Sequence, residues 1–302
     1  MLTRYAQGHL TWIDLVAPSA AEVREVMKEF DLDPKVAEEL LVPSFKPKVE
    51  KHGDSIYLIL HFPALRSVGS RPEQEIDFVV GKHFLITTRY ENIDPLHSFA
   101  KSLEVSTVLG RGGASHGGHL FVSMVKSLYE ALGDECGGMR ERLQMIEDKI
   151  FGGDERGMVV ELSHMGRTIH DFRESLMPHR DMLASFEPVA SRHFGAEFAY
   201  YVRELGGSYA RIERTLEHLR SSLLEMRETN NSLLTTKQND VMKTLTVLNF
   251  IFLPVTFVAG LFAMDTKNNP IVGHPFDFWI ILGGMLFIAI SCIFFFKRKG
   301  WL

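Results

Sequence analysis

Residues 247–265, VLNFIFLPVTFVAGLFAMD, are the stretch that decides the fold of this 302-residue chain. The uncharged run extends back to Leu245, so about twenty residues in a row carry no charge before Asp265. A helix of that length, at about 1.5 Å per residue, crosses the ~30 Å hydrocarbon core of a bilayer. The sequence therefore predicts a transmembrane helix over about residues 245–264.

A second uncharged run covers about residues 278–296 and is followed by Lys297, Arg298 and Lys299. The connection between the two runs is short, so we predict a transmembrane hairpin spanning 245–302. Basic residues favour the cytoplasmic side of a membrane. We therefore expect both termini in the cytoplasm, the chain in the cell inner (plasma) membrane, and a basic ring of these three residues when several copies assemble.

The rest of the chain has the composition of cytosolic machinery. Its net charge is −5 and its first 230 residues contain no large basic block, which argues against a nucleic-acid partner. The N-terminus has no basic stretch followed by an apolar core, so we expect no cleavable signal peptide. Two cysteines, Cys136 and Cys292, are too few for a disulfide framework or a thiolate metal site.

Catalytic and nucleotide-binding signals are missing from the sequence. The glycine-rich segment 110–118 is followed by no Gly-Lys-Ser/Thr, so it is predicted to be a loop. The helical histidines lack the i,i+4 spacing of a metal site and are assigned structural or solvated roles. They are His164, His170, His179 and His193. We identify no pairing of a nucleophile with a base, so we expect neither an enzyme nor a covalently bound cofactor.

The first 110 residues predict a cytosolic α/β domain. Ser19 and Glu22 have the spacing of a capping box, and Asp33 with Pro34 marks a second helix start. Apolar segments predict strands near 11–16, 55–62, 76–80 and 83–88. After them we predict a helical hairpin over 111–190, with helices at 119–150 and 159–186, and a stalk helix over 191–244.

Two stripes with heptad stepping follow the predicted stalk helix into the first span. A continuous helix over 196–264 would be about 100 Å long. The first stripe predicts self-association of parallel helices, with Asn230 helping to set the register. The alternative is an amphipathic helix that packs on its own domain. The stripe consists of Leu205, Tyr209, Ile212, Leu216, Leu219, Leu223, Met226, Asn230 and Leu233.

The second stripe has a different composition, because polar and small residues share one face of an otherwise apolar span. Such a face normally contacts partner helices or a water-filled path. Two spans cannot enclose such a path alone, so several copies are required. Their Asp265 carboxylates would form a cation-selecting ring at the outer mouth. The stripe consists of Asn239, Met242, Thr246, Asn249, Leu253, Thr256 and Gly260.

At these residues the chain resembles the CorA-type divalent-cation channel family over essentially its whole length. The resemblance rests on KPKVE (46–50), the Arg173…Pro178-His179-Arg180 segment, NDVMK (239–243), LPVTFVAG (253–260) and the basic tail ending at Trp301. It implies a homopentameric channel with an α/β cytosolic domain, a long stalk-and-pore helix and a second span outside it. It also implies passive, potential-driven magnesium entry, sometimes of cobalt or nickel, with a related zinc-transporting branch.

The resemblance also implies site residues. The family's Gly-Met-Asn mouth is replaced here by Ala263, Met264 and Asp265, and a carboxylate attracts divalent ions more strongly but discriminates less by hydration. An inhibitory divalent site would pair Glu204 with an acid of the neighbouring α/β domain, where loop 64–71 instead offers arginine. The pore lining implied by motif is Asn239, Met242, Leu245, Thr246, Leu253, Thr256 and Gly260, of which Leu245 lies beside the second stripe.

Three hypotheses follow from these observations. The first is a pentameric channel for magnesium, whose partners are further copies of itself, the bilayer and the ion, which is also a candidate regulatory ligand. The second keeps the architecture and changes the ion to zinc, cobalt or nickel because the mouth is altered. The third is a membrane-anchored coiled-coil scaffold that does not conduct.

Overall fold

The computed structural model describes residues 1–44, 46–63, 73–91, 93–108, 115–264, 273 and 275–301. It divides into two compact units, Met1–Arg227 and Glu228–Leu302. The first contains a six-stranded sheet with helices on both faces, and the second contains the two apolar segments. This is the predicted class: an α/β domain, long helices and two C-terminal apolar helices.

The sheet of the first unit has the strand order β1-β2-β6-β5-β4-β3, and every pairing is antiparallel except β2 with β6. The strands predicted near 11–16, 55–62, 76–80 and 83–88 are all confirmed. β1 and β3 were missed because they are edge strands with polar sequences, which lack a buried apolar run. The strands are β1 (Leu2–Gln7), β2 (Leu10–Val16), β3 (Lys48–His52), β4 (Ser55–Pro63), β5 (Glu73–Gly81) and β6 (Phe84–Arg89).

One face of the sheet is covered by α1 (Ala20–Glu29) and α2 (Pro34–Glu39). The capping box predicted for α1 is present, because Ser19 accepts from the Glu22 backbone and the Glu22 carboxylate accepts from that of Ser19. The core between them is apolar and includes Ile13, Val26, Leu40, Tyr57 and Val79.

The remaining helices of the first unit complete its core. Phe121 of α4 lies between Phe78 of β5 and Phe186 of α6, with ring centroids 5.1 Å apart in both pairs. The boundary predicted at residue 110 does not separate two units, because α4 and α5 pack directly on the sheet. The helices are α3 (Asp94–Val108), α4 (Gly117–Phe151), α5 (Glu155–Leu176), α6 (His179–Phe194) and α7 (Phe198–Ala263), which continues into the second unit.

Two predicted helix boundaries are wrong. The helix expected over 159–186 is divided into α5 and α6, because Pro178 has no N–H to continue the helical hydrogen bonds and stands at the start of α6. The stalk helix starts at Phe198 instead of 191, because Gly195 has a φ of +112°, which ends α6. The predicted hairpin over 111–190 therefore consists of three helices.

The structure corrects the interpretation of the first heptad stripe. Its side chains from Leu205 to Leu223 are between 0% and 6% exposed within a single chain. Asn230 is also buried, at 1% exposure, so it does not present its amide at a seam between copies. The amphipathic alternative therefore applies to this part of α7, because an apolar stripe is buried by the first partner surface available and here that surface belongs to the same chain.

The second unit contains the end of α7 and α8 (Asp277–Arg298), which include the two predicted spans. Both helices are long and apolar enough to cross a membrane. Only 6% of the most apolar window of α7 is buried, and none of that of α8. A core helix of a soluble protein would be mostly buried, so this explanation of the apolar runs does not apply.

Candidate ion-conduction site

One face of each apolar helix is half-buried or buried, and we assign these two faces to the contact between α7 and α8. On α7 this face consists of Val247, Ile251, Val255, Val258 and Phe262, spaced by three or four residues and half-buried or buried. The rings of Phe250 and Phe296, which is itself 8% exposed, lie 5.9 Å apart. The matching face of α8 consists of Ile281, Met285, Ile288, Cys292 and Phe296.

The second heptad stripe lies on the other side of α7. With about 100° per residue, the centre of the stripe is roughly 180° from the centre of the face that packs on α8. Met242 is 56% exposed and Leu253 72%, and Leu245, beside the stripe, is 49% exposed. Thr246 is half-buried, and the remaining members, Asn239, Asn249, Thr256 and Gly260, are exposed.

The threonines of the stripe have a defined hydrogen-bond polarity. The hydroxyl of Thr246 donates to the carbonyl of Met242 at 2.7 Å, and that of Thr256 donates to the carbonyl of Phe252 at 2.6 Å. A hydroxyl has one proton and two lone pairs. Because the proton is used inside the helix, each oxygen offers only acceptor capacity to the outside, which suits the water shell of a cation.

Pro254 interrupts the backbone hydrogen bonds of α7 between the two threonines of the stripe. It lies inside the helix, next to Leu253. Proline has no N–H, so the carbonyl of Phe250 lacks its usual helical donor. Helices bend most readily at such positions, so α7 is easiest to deform next to Leu253 of the stripe.

The residues predicted for the outer mouth and the basic ring lie at the ends of the two spans. Ala263 closes α7 and Met264 follows it, 59% exposed. Asp265, the predicted mouth carboxylate, lies outside the described residues, as does loop 64–71. Lys297 and Arg298 form the last turn of α8, where cations interact favourably with the helix dipole, and the Lys299 ammonium lies 5.8 Å from the ring centroid of Phe295.

Glu204, the predicted stalk acid of an inhibitory site, has a cationic partner within its own chain. The ammonium of Lys126 on α4 lies 2.6 Å from its carboxylate. Both side chains are about 40% exposed, so the pair contributes little to stability. Lys126 was not identified from the sequence, because nothing in the spacing of α4 and α7 indicates which side chains meet.

His179, within the segment that carried the family resemblance, has the structural role predicted for the histidines. Its Nε2 donates to the carbonyl of His61 at 2.7 Å, and its Nδ1 accepts from the hydroxyl of Tyr129 at 2.8 Å. Both nitrogens are satisfied in the neutral ring, and burial lowers the pKa of His179 to about 4. Among the described residues no three His, Cys, Asp or Glu side chains are placed to ligate a metal directly.

Comparison with known proteins identifies the family. A family model described as CorA-like Mg2+ transporter protein matches residues 7–298. The chain belongs to the CorA family. CorA-family proteins are divalent-cation transporters of membranes and not enzymes, which agrees with the two apolar helices and with the prediction that the chain is not an enzyme.

The names of similar proteins refer to different ions. The chain is 22% identical to the cobalt/magnesium transport protein CorA of Thermotoga maritima, over 97% of this chain and 83% of that protein. It is 24% identical to the zinc transport protein ZntB of Pectobacterium carotovorum, over 96% and 88%. The complete structure of the CorA magnesium transporter from Methanocaldococcus jannaschii has the same fold, with a TM-score of 0.85, 20% identity and coverage of 99% and 93%.

Proposed function

We propose that this protein is a homopentameric channel through which magnesium enters the cell down the membrane potential. It would lie in the inner membrane with both termini in the cytoplasm. The observation that carries the proposal is the stripe from Asn239 to Gly260. Apart from the half-buried Thr246 it is exposed, and it lies opposite the face of α7 assigned to the contact with α8. A polar, acceptor-rich face in an apolar helix contacts partner helices or a hydrated path, and several copies with this face turned inward would enclose such a path.

The energetics of entry require no nucleotide. A potential of 100 mV is worth about 2.3 kcal/mol per charge, hence about 4.6 kcal/mol for a divalent ion. Thr246, Asn249 and Thr256 would receive hydrogen bonds from the water shell of magnesium, which the ion sheds reluctantly. Met242 and Leu253, both strongly exposed in the single chain, would form apolar constrictions that close the path by dewetting.

The altered mouth supports a second candidate ion. Ala263, Met264 and Asp265 would surround the entrance, and a ring of carboxylates attracts zinc, cobalt or nickel as well as magnesium. Crowded carboxylates repel one another, so protonation of part of the ring would weaken its hold on any ion. The names of the relatives include both magnesium and zinc transport. A non-conducting scaffold is the alternative of another class.

Ion flux into proteoliposomes tests the pore, with magnesium and zinc compared. Asn249→Leu and Thr256→Val are expected to lower magnesium flux at least about fivefold, because each removes an acceptor from every subunit. The matched control is Thr244→Val, whose hydroxyl also donates to the carbonyl four residues earlier. At about 100° per residue, position 244 lies roughly opposite the centre of the stripe.

The results separate the alternatives. Equal flux in Thr256→Val, Asn249→Leu and the control would show that this stripe does not line the path. A preference for zinc over magnesium would change the ion and keep the architecture. No flux of any cation through purified pentamers would leave only the scaffold.

A further inference from the structure

A cavity of about 220 Å³ lies in the first unit, where the adjoining ends of β4 and β5 meet the end of α5. Its lining residues are distant in sequence from those assigned to the pore, and the proposed conduction of ions does not involve them. Its wall is acidic. Besides His61 it is lined by the carboxylates Glu73, Glu75, Glu91, Asp171 and Glu174.

The carboxylates of this cavity have no strong cationic partner in the described part of the chain. No described lysine or arginine lies within ion-pair distance of any of the five. The ionisable groups of the described residues that reach them are imidazoles: His61 lies 3.2 Å from Glu75, and His170 lies 3.3 Å from Glu174. The other donors are neutral: the Ser44 backbone N–H donates to Glu75 and the Ser175 hydroxyl to Glu73. The charge of the wall is therefore largely uncompensated by those residues.

Gln74 supplies an independent indication of a ligand. Its side chain is 4% exposed and lines the cavity. Its Nε2 donates to the carboxylate of Glu91 at 3.4 Å, which sets the orientation of the amide, since a carboxylate only accepts. The Oε1 atom of the same amide is buried and has no hydrogen-bond partner. A buried acceptor without a donor is costly, so this oxygen is expected to meet a donor that binds here.

The chemistry of the wall selects a cation that brings its own hydrogen-bond donors. The carboxylates and the Gln74 oxygen are acceptors, and no three acidic or histidine side chains of the described residues are placed for direct ligation. Magnesium usually keeps several of its waters, which are donors. Six waters at about 30 Å³ each occupy roughly 180 Å³, which the cavity accommodates. We propose that this cavity binds a hydrated magnesium ion through outer-sphere hydrogen bonds.

Isothermal titration of the full-length protein in detergent with magnesium chloride tests the proposal. The variant Glu91→Gln/Asp171→Asn removes two charges from the wall and keeps the shapes of the side chains. The control Asp134→Asn/Glu141→Gln removes the same charge from exposed positions of α4. Wild type and control are expected to bind one more magnesium ion per chain than the cavity variant, or to bind it at least tenfold more tightly.

A thermal melt separates a binding role from a structural one. Without divalent ions the cavity variant is expected to melt at or above the wild-type temperature, because repulsion within the wall is reduced. Added magnesium is then expected to raise the melting temperature of the control more than that of the variant. Glu174→Gln, at an exposed position, provides a third variant in case the double variant fails to fold, and is expected to weaken binding in the same direction.

Three results would overturn the proposal. Hexaamminecobalt(III) cannot release its ligands and mimics a hydrated ion, so it should displace magnesium here, and failure to do so would exclude outer-sphere binding. Arg66 and Arg71 belong to the segment between β4 and β5 that lies outside the described residues. If magnesium binds only after both arginines are replaced by alanine, an arginine of the protein neutralises the carboxylates of the wild-type cavity, and magnesium does not bind there. Equal binding by the cavity variant and the control overturns it directly, and none of these results affects the pore proposal.

Discussion

α7 contains two stripes with the same heptad stepping but different surroundings. The first, from Leu205 to Leu223, is buried within its own chain, whereas Met242 and Leu253 of the second are more than half exposed. The spacing is the same, so spacing alone does not say what covers a helix face. Composition separates them: from Leu205 to Leu223 the first stripe is made of large apolar and aromatic residues, and the second mixes asparagine, threonine and glycine with apolar side chains.

The two stripes differ because one lies in a part of the helix that folds in water and the other in a part predicted to lie in a bilayer. In water, a stripe of large apolar side chains is stabilised by any apolar surface that covers it. Inside a bilayer, apolar surface is already solvated by lipid, so the polar and small residues determine which face meets protein or water. The first stripe therefore contributes to folding of one chain, and we infer that the second contributes to assembly and conduction.

Leu216→Ala is expected to have the largest effect on this comparison. Leu216 is 1% exposed, and its truncation should reduce the free energy of unfolding of the first unit by about 2–5 kcal/mol through lost burial and a cavity. Leu224→Ala, at a position on the same helix that is 48% exposed, should cost below about 1 kcal/mol. Denaturant unfolding followed by tryptophan fluorescence of Trp12 in variants lacking Trp279 and Trp301 measures both. If both variants lose equally little free energy of unfolding and Leu216→Ala no longer forms the pentamer, the first stripe lies at the subunit interface instead.

His179→Gln should have the next largest effect. Loss of two buried hydrogen bonds should destabilise the first unit by about 1–3 kcal/mol at pH 7.5. Because the folded pKa of about 4 lies below the unfolded value near 6.5, the stabilisation by neutral His179 is complete above pH 6.5 and is lost as the pH falls towards 4. His179→Gln should therefore lose less stability than wild type between pH 7.5 and pH 5.

The exposed His170 provides the matched control, since it lies on α5 with its ring in solvent beside Glu174. His170→Gln should leave the stability at pH 7.5 within about 0.5 kcal/mol of wild type. Thermal melts at the two pH values measure both variants. If the stability of His179→Gln depends on pH as that of wild type does, the buried ring of His179 is not a source of acid sensitivity. A second histidine, His116, would still contribute to the acid sensitivity of both proteins. Burial lowers the pKa of His116 to about 4, together with the charges of the neighbouring His119 and His193.

Met242→Gly tests the second stripe and should have the smallest effect in free energy. Removing an apolar constriction is expected to raise basal magnesium flux by about 2–10-fold, or roughly 0.4–1.4 kcal/mol in the barrier. Val241→Gly carries the same glycine penalty at a neighbouring exposed position of α7 outside the stripe. Proteoliposome flux compares them, and an equal response of both variants would attribute the change to loosening of the helix.

Several features of this protein could be predicted from local sequence. Uncharged length predicts the two spans, now found within α7 and α8, and the short apolar segments predict the inner strands β2, β4, β5 and β6. The Ser19–Glu22 box predicts the start of α1. These signals depend on neighbours along the chain, and for that reason they are visible without a structure.

Tertiary structure decided what the local signals left open. It placed the first stripe in the core of its own chain, paired Lys126 with Glu204, and brought distant carboxylates together around one cavity. It also showed that the polar stripe of α7 lies opposite its contact with α8. Each depends on which surfaces meet after folding, and a periodic sequence specifies a face of a helix without specifying its partner.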